Sequence, residues 1–478
     1  MKSRTLISAA LTGAAGAGIA WLATRGGSAL QPAATGRAET VAGNDRVPPM
    51  VDTVVIGGGI VGCMTALLLA ERGQRVALCD KGVVAGEASG RALGYVDQLF
   101  QHPDKAPLIA RAKHLWEGMA ERIGADSGYR RTGIAAVFAD TAALDEAAGW
   151  IDWTSGAPGI DARRIDAAEL ARLAPDMAGR AAGAIYQPSD GIAEPRRAAP
   201  AIARRFRDLG GSLLQFCAVD AIETTGGRVS GVETERGRIG CSAVVLAGGA
   251  WSPLMAASLG LDLPQFMAFG SVLRLAGTED PAFGAGPALI DTARNMVMRP
   301  NEAGGYDMCF GRGTVPLTWT GLANLHRLAP ALKAMWRELD PALDPGVLFS
   351  DISMMRSKGR GGVSPYRRTR ALAPRPHRRL LERLEREAGN AFPRLAGASP
   401  VERWAGVLTS TPDNMPVLSA APGIDGFFVG SGFYYGMTAG PAAGEALADM
   451  VTGRAPQFDL EPYRMSRFSD GSRLHFRA

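Results

Sequence analysis

The sequence predicts an α/β fold: a Rossmann-like domain assembled from three separated stretches, a mixed-sheet domain interleaved with it, and an N-terminal membrane helix. Three observations carry this. Residues 53–81, TVVIGGGIVGCMTALLLAERGQRVALCDK, read as strand, G-x-G-x-x-G turn, helix, strand and terminal acid, all within about 30 residues, the context that gives this glycine pattern meaning. The buried-type strand Ser242–Leu246 runs into a second small-residue turn, Ala247-Gly248-Gly249-Ala250-Trp251-Ser252. Residues 426–451, GFFVGSGFYYGMTAGPAAGEALADMV, repeat the order strand, glycine turn, helix.

Residues 6–23, LISAALTGAAGAGIAWLA, are apolar and uncharged, with Lys2 and Arg4 before them and Arg25 after. At about 1.5 Å per residue they span roughly 27 Å, the short end for a bilayer core. A retained single-pass anchor within 1–30 is expected; a cleaved signal is the alternative, with a poor cleavage site near Gly27–Ala29. Residues 31–50 form a polar tether. Lys2 and Arg4 favour an inside N-terminus, which puts the body on the periplasmic side of a bacterial inner membrane.

The first Rossmann stretch is 51–95. Gly57 allows the sharp turn, Gly59 lets backbone approach a pyrophosphate, and Gly62 lets the helix pack on the strand. The N–H groups of Ile60 and Val61 and the positive helix end favour phosphate charge, and Asp80 is placed for ribose hydroxyls. The pattern therefore predicts a dinucleotide site.

Residues 96–190 open the second domain, with helices at Ala106–Ile123, Ala142–Ile151 and Ala167–Leu173 and a strand at Gly133–Phe138. The Rossmann domain resumes over 191–262 with helix Pro195–Leu209, strand Ser212–Val219 and a hairpin turning at Gly226-Gly227. Over 263–400 the second domain continues with strands Phe266–Leu275, Met296–Arg299 and Tyr306–Phe310, and an insertion at about 320–395 that contains helix Leu325–Leu339. Its basic run Arg356–Arg386 is either a solvated face or a contact for anionic lipid head groups. The third Rossmann stretch is 401–455, starting with Val401–Val407, and 456–478 is a tail.

Composition excludes several classes. A net charge of +5, spread apart from that run and without aromatic interleaving, argues against nucleic acid as a partner. The five cysteines have no CxxC or Cys/His ligand spacing, so neither a metal site nor a disulfide framework is expected. The five histidines are scattered, and no Ser/His/Asp constellation is visible. A redox cofactor would supply the chemistry such a chain needs.

The pieces GGGIVG, LAGGAWS and GFYYGMTAGPAAGE, together with TPDNMP, resemble the D-amino-acid-oxidase-like superfamily of FAD-dependent amine and amino-acid oxidoreductases. Through LAERG, AGEASGRA, IGADSGYR and VERWAGV, and the N-terminal anchor, the chain looks most like bacterial membrane-bound L-amino-acid deaminases. The resemblance implies an FAD-binding domain of the D-amino-acid-oxidase/glutathione-reductase type. It implies oxidation of an amino acid to an imino acid, hydrolysis to a 2-oxo acid and ammonia, and electrons passed to a respiratory-chain acceptor. The FAD is expected to be non-covalent, because no Cys or His sits beside the flavin turns as an attachment site.

Carried over by position, FAD is held by Gly57, Gly59, Ile60, Val61, Gly62, Asp80, Lys81, Glu87, Ser89, Gly90 and Arg91 of the first stretch. Val219, Ala247, Gly248 and Trp251 follow from the second, and Gly432, Gly436, Met437 and Thr438 from the third. On the substrate side, Arg312 is expected to hold the substrate carboxylate, six positions after Tyr306 and one later than the family spacing, with Arg299 the nearest substitute. Gln98 or Gln101 takes the place of a family glutamine. Tyr435 stands where those deaminases have a tryptophan, and with Tyr434 it would wall the side-chain pocket. Two other readings stay open: an oxygen-using FAD oxidase or dehydrogenase of D-amino acids, N-methyl amino acids or opines, and a membrane-tethered flavin-binding partner subunit without turnover.

Overall fold

The computed structural model describes residues 38–477 except 176, 178–180, 279–282, 312, 317, 319–320, 322–323, 335–338, 343–362 and 397–399. The membrane helix expected at 6–23, Arg312 and the RSKGRGG part of the basic run therefore lie outside the described residues. Among the described residues, no helix is long and apolar enough to cross a membrane.

The glycine unit folds as β1 (Thr53–Ile56), α1 (Ile60–Glu71) and β2 (Val76–Cys79). Runs as apolar as TVVI and VALC suit strands covered on both faces, and both are buried. They sit within a six-stranded sheet in the order Val417–Ala420, Phe427–Ser431, Ala243–Leu246, β1, β2, Ser212–Leu214. All neighbours are parallel except the first pair. The chain leaves β1 on one side to β2 and reaches its other side only at Ala243–Leu246, so a ligand crevice opens at the C-terminal ends of these three strands.

α1 packs on the helix Gly436–Thr452. A Cβ on Gly440 would lie 2.7 Å from Ile60 Cγ2, and one on Gly444 2.7 Å from Met64 Cβ, so these glycines let the two helices cross closely. Arg72 with Asp449 and Arg111 with Glu445, both pairs at 2.6 Å, fasten the same layer.

The second domain is built on a ten-stranded mixed sheet. Its long antiparallel pair is Phe266–Leu275 with Pro400–Ser410. Val401–Val407 therefore belongs to this sheet and not to the Rossmann stretch in which the sequence placed it; the chain returns to the first sheet at Val417–Ala420. The helix predicted at Leu325–Leu339 ends at Ala334, and Leu339 opens a strand, Leu339–Ala342, parallel to Gly313–Pro316. The hairpin turns at Gly226-Gly227, at φ +62° and +77°, and gains a third strand, Gly237–Gly240.

Candidate active site

Where β1, β2 and Ala243–Leu246 end, the two sheets leave a cleft with about 1190 Å³ of empty space, its open mouth included. Ile56, Cys79 and Leu246, the last residues of those strands, form its floor, and Val407 and Thr409 reach it from the second sheet. The glycines behave as the spacing predicts. Gly57 has φ +109°, and a Cβ there would stand 2.4 Å from the Ala247 carbonyl oxygen. A Cβ on Gly62 would stand 1.9 Å from the Gly57 carbonyl oxygen, whereas one on Gly59 would meet only Ser89, with Oγ at 3.0 Å. Gly62 thus serves packing, and Gly59 keeps the cleft wall open.

Two helix N-termini abut this space. Gly59 gives α1 no side-chain cap, Tyr435 gives Gly436–Thr452 none, and neither first turn carries an acid. Ser89 Oγ accepts from Ile60 N at 3.0 Å. Such positive ends favour a pyrophosphate and the electron-rich edge of a flavin. Asp80 accepts from Gly58 N and Gly82 N, each at 2.7 Å. Burial pushes its carboxyl above the usual range, against the pull of the Gly58 N–H. Each oxygen keeps a lone pair for a ribose hydroxyl.

Beyond Asp80, one oxygen gathers three donors. Glu87 Oε1 accepts from Lys81 Nζ at 2.6 Å, Leu372 N at 2.8 Å and Trp251 Nε1 at 3.1 Å. The Lys81 ammonium lies 4.2 Å from the centre of the Trp251 ring.

Of the residues read from sequence, Gly57, Gly59, Ile60, Val61 and Asp80 line the cleft, as do Lys81, Glu87 and Ser89 from the turn after β2. Val219, Ala247, Gly248 and Trp251 line it further along, and Gly432 and Gly436 close its far end. Five others stand behind these walls. Gly62 packs α1, and a Cβ on Gly90 would lie 2.1 Å from the Ala85 carbonyl oxygen. Arg91 is buried and donates to the carbonyls of Gly86 at 3.2 Å and Ala405 at 3.3 Å. The Met437 carbonyl accepts from Trp116 Nε1 at 2.9 Å. Thr438 Oγ1 donates to Asp97 Oδ1 at 2.7 Å.

Among the described residues, none of those read from sequence for the substrate side lines the cleft. Gln98 is fully buried away from the cleft, donating through Nε2 to the Pro158 carbonyl at 2.8 Å. Gln101 accepts from Lys105 Nζ at 3.1 Å. Tyr435 is buried in the helical layer with Lys105 Nζ 5.0 Å from its ring centre, and Tyr434 is 37% exposed. Neither tyrosine lines the cleft; Phe433 does. Arg299 is no substitute clamp, because its Nη2 already donates to Glu194 Oε2 and Asp307 Oδ2, each at 2.9 Å, in a buried cluster.

Sequence reasoning missed Tyr366 and Arg370, which line the cleft. They lie in YRRTRA, within the run read as a solvated or lipid-facing patch. No glycine turn marks them, and only the folded chain brings them to the cleft.

A glycine cradle, two helix N-termini free of acids and an acid placed for a ribose fit FAD, and the cleft's position between a Rossmann sheet and a mixed sheet defines a flavin-dependent oxidoreductase. Residues 52–450 match the family model described as DAO, FAD dependent oxidoreductase, and the chain belongs to that family. The fold is similar to the L-amino acid deaminase from Proteus myxofaciens solved in complex with anthranilate: TM-score 0.84, 32% identity, 91% of this chain and 97% of that one covered. By sequence the chain is 26% identical to the glycine oxidase of Pseudomonas aeruginosa over 86% of this chain and 97% of the relative. It is 23% identical to the sarcosine oxidase subunit beta of an Arthrobacter species, over 88% and 91%. The protein is an FAD-dependent oxidoreductase acting on amino acids.

Proposed function

We infer that this oxidoreductase deaminates an amino acid, most simply an L-amino acid, to its 2-oxo acid and ammonia, and delivers the electrons to a membrane acceptor. The observation that carries the reading is the likeness to the Proteus myxofaciens deaminase through 91% of the chain, second sheet included. That relative's complex with anthranilate, an aromatic carboxylate, supports a site that takes a carboxylate beside an apolar group. FAD, when bound, supplies the acceptor for the hydride leaving the substrate Cα. The chain's part is to bind, orient and exclude water.

Arg312 falls between the strands Tyr306–Phe310 and Gly313–Pro316 in sequence, and we assign it the substrate carboxylate. A guanidinium holds a carboxylate through two parallel N–H···O bonds where a lysine offers a point charge. A second reading, direct transfer to oxygen, is favoured by the similarity to glycine oxidase.

The test is anaerobic mixing of holoenzyme with single amino acids while the flavin band is followed. Bleaching by one or more L-amino acids, with ammonia and 2-oxo acid released, is expected. Arg312→Ala should slow bleaching by every such substrate, with a loss of about 2–5 kcal/mol for a buried pair. Failure of all L-amino acids to reduce the flavin would sink the reading. Stoichiometric peroxide on admitting air would replace the membrane acceptor by oxygen.

A further inference from the structure

The segment 364–372 crosses the cleft at the end marked by Asp80, Lys81 and Val219, and it is pinned there from three sides. Arg370 pairs with Glu235 through Nη1–Oε1 at 2.5 Å and Nη2–Oε2 at 2.7 Å, and the same Nη1 donates to the Lys81 carbonyl at 2.8 Å. Arg367 Nε donates to Asp220 Oδ2 at 2.8 Å, and Ser364 Oγ donates to the other oxygen of that carboxylate. From the turn after β2, Lys81 Nζ donates to the Thr369 carbonyl at 2.9 Å, and Leu372 N donates to Glu87 at 2.8 Å. The approach is tight. A Cβ on Gly82 would lie 2.6 Å from the Arg370 carbonyl oxygen. Tyr366 and Arg370 face the cleft, the tyrosine ring 5.8 Å from that of Trp251.

Asp80 follows β2 as the ribose acid of the unit, so this end of the cleft takes the adenosine half of the cofactor. We propose that residues 364–372 form a strap that retains FAD by its adenosine half, with Tyr366 and Arg370 contacting the nucleotide and the pairs Arg367–Asp220 and Arg370–Glu235 as its fastenings. The strap ties the turn after β2 to the strand Val219–Thr225 and to the end of its hairpin partner. Departure of the adenosine through this side requires the fastenings to open. The side chains of Arg367 and Arg370 are 37% and 36% exposed, so salt weakens these pairs. FAD release is therefore salt-dependent. The inference rests on FAD alone and not on the identity of the substrate.

The experiment dilutes holoenzyme and follows the rise of free-FAD fluorescence. Asp220→Asn and Glu235→Gln should each speed release about threefold and together about tenfold. Added salt should accelerate release from the parent protein and have little effect on the double variant. Asp145→Asn removes an exposed pair with Arg164 on the second domain and should change nothing. The melting temperature of the apoprotein separates a strap from a purely structural role, and it should be the same in parent and double variant. Release at the parent rate from the double variant would overturn the proposal, and so would an apoprotein melting temperature that falls in step with release.

Discussion

Lys105 is fully buried, its Nζ held by Gln101 Oε1 at 3.1 Å and 5.0 Å from the ring centre of Tyr435. Burial lowers its pKa from 10.5 to about 7, against the opposing pull of the Asp97 and Asp413 carboxylates. In the unfolded chain the lysine keeps its proton up to the ordinary value. Across the window from about 7 to 10.5 the unfolded state thus binds a proton that the folded state has shed, and stability rises with pH. Below that window the folded protein carries a buried charge at full cost. Lys105→Met should therefore raise the melting temperature by several degrees at pH 6 and by clearly less at pH 9. A gain independent of pH would show that the lysine is not the group responsible. The sequence announces none of this, because Lys105 there is one charge at the start of a helix. The same limit applies to Gln98, Tyr435 and Arg299, whose types fit a substrate site but whose partners sit elsewhere in the chain. Glycines are legible because the constraint is steric and local: Gly57 at φ +109° admits no other residue without strain.

Among elements, the unit of β1, α1 and β2 was readable because its hydrogen bonds, turn and packing are settled within one continuous stretch. The two glycines that open α1 are expected to fail in different ways. Gly62→Ala drives a Cβ to 1.9 Å from a backbone oxygen, which nothing flexible can relieve, so the apoprotein should lose about 3 kcal/mol or more. Gly59→Val meets only a serine side chain and then fills the pyrophosphate's place. It should leave the apoprotein melting temperature nearly intact and abolish FAD retention. Equal losses of stability in both variants would contradict this division. The strand Pro400–Ser410 could not be placed from its own residues, since its register is set by Phe266–Leu275 across the sheet. For the same reason, the part of YRRTRA that lines the cleft was read as surface: Arg367 and Arg370 find their carboxylates in Asp220 and Glu235 only after folding.

At the scale of the whole molecule, the three Rossmann stretches and the second domain alternate along the chain, so the cleft is walled by both domains and its cofactor by residues from 56 to 436. In the sequence, the glycine turns after β1, Ala243–Leu246 and Phe427–Ser431 mark the strands of the first sheet. Attachment of this body to a membrane is a separate matter that rests on the sequence of residues 6–23, an uncharged apolar run joined to the folded chain by a polar tether. A span of roughly 27 Å is enough for a thin bilayer core. With Lys2 and Arg4 ahead of it, we propose by the positive-inside rule that the catalytic body lies outside the cytoplasm. Deleting residues 1–30 should move the protein from the membrane to the soluble fraction with its flavin still bound, because among the described residues none before Ile56 lines the cleft. A protein that sediments with membranes equally well after this deletion would place the attachment elsewhere, with the arginines of Arg378–Ala391 the next residues to test. Protease added to intact spheroplasts should digest the body of the full-length protein, and complete protection would reverse the orientation.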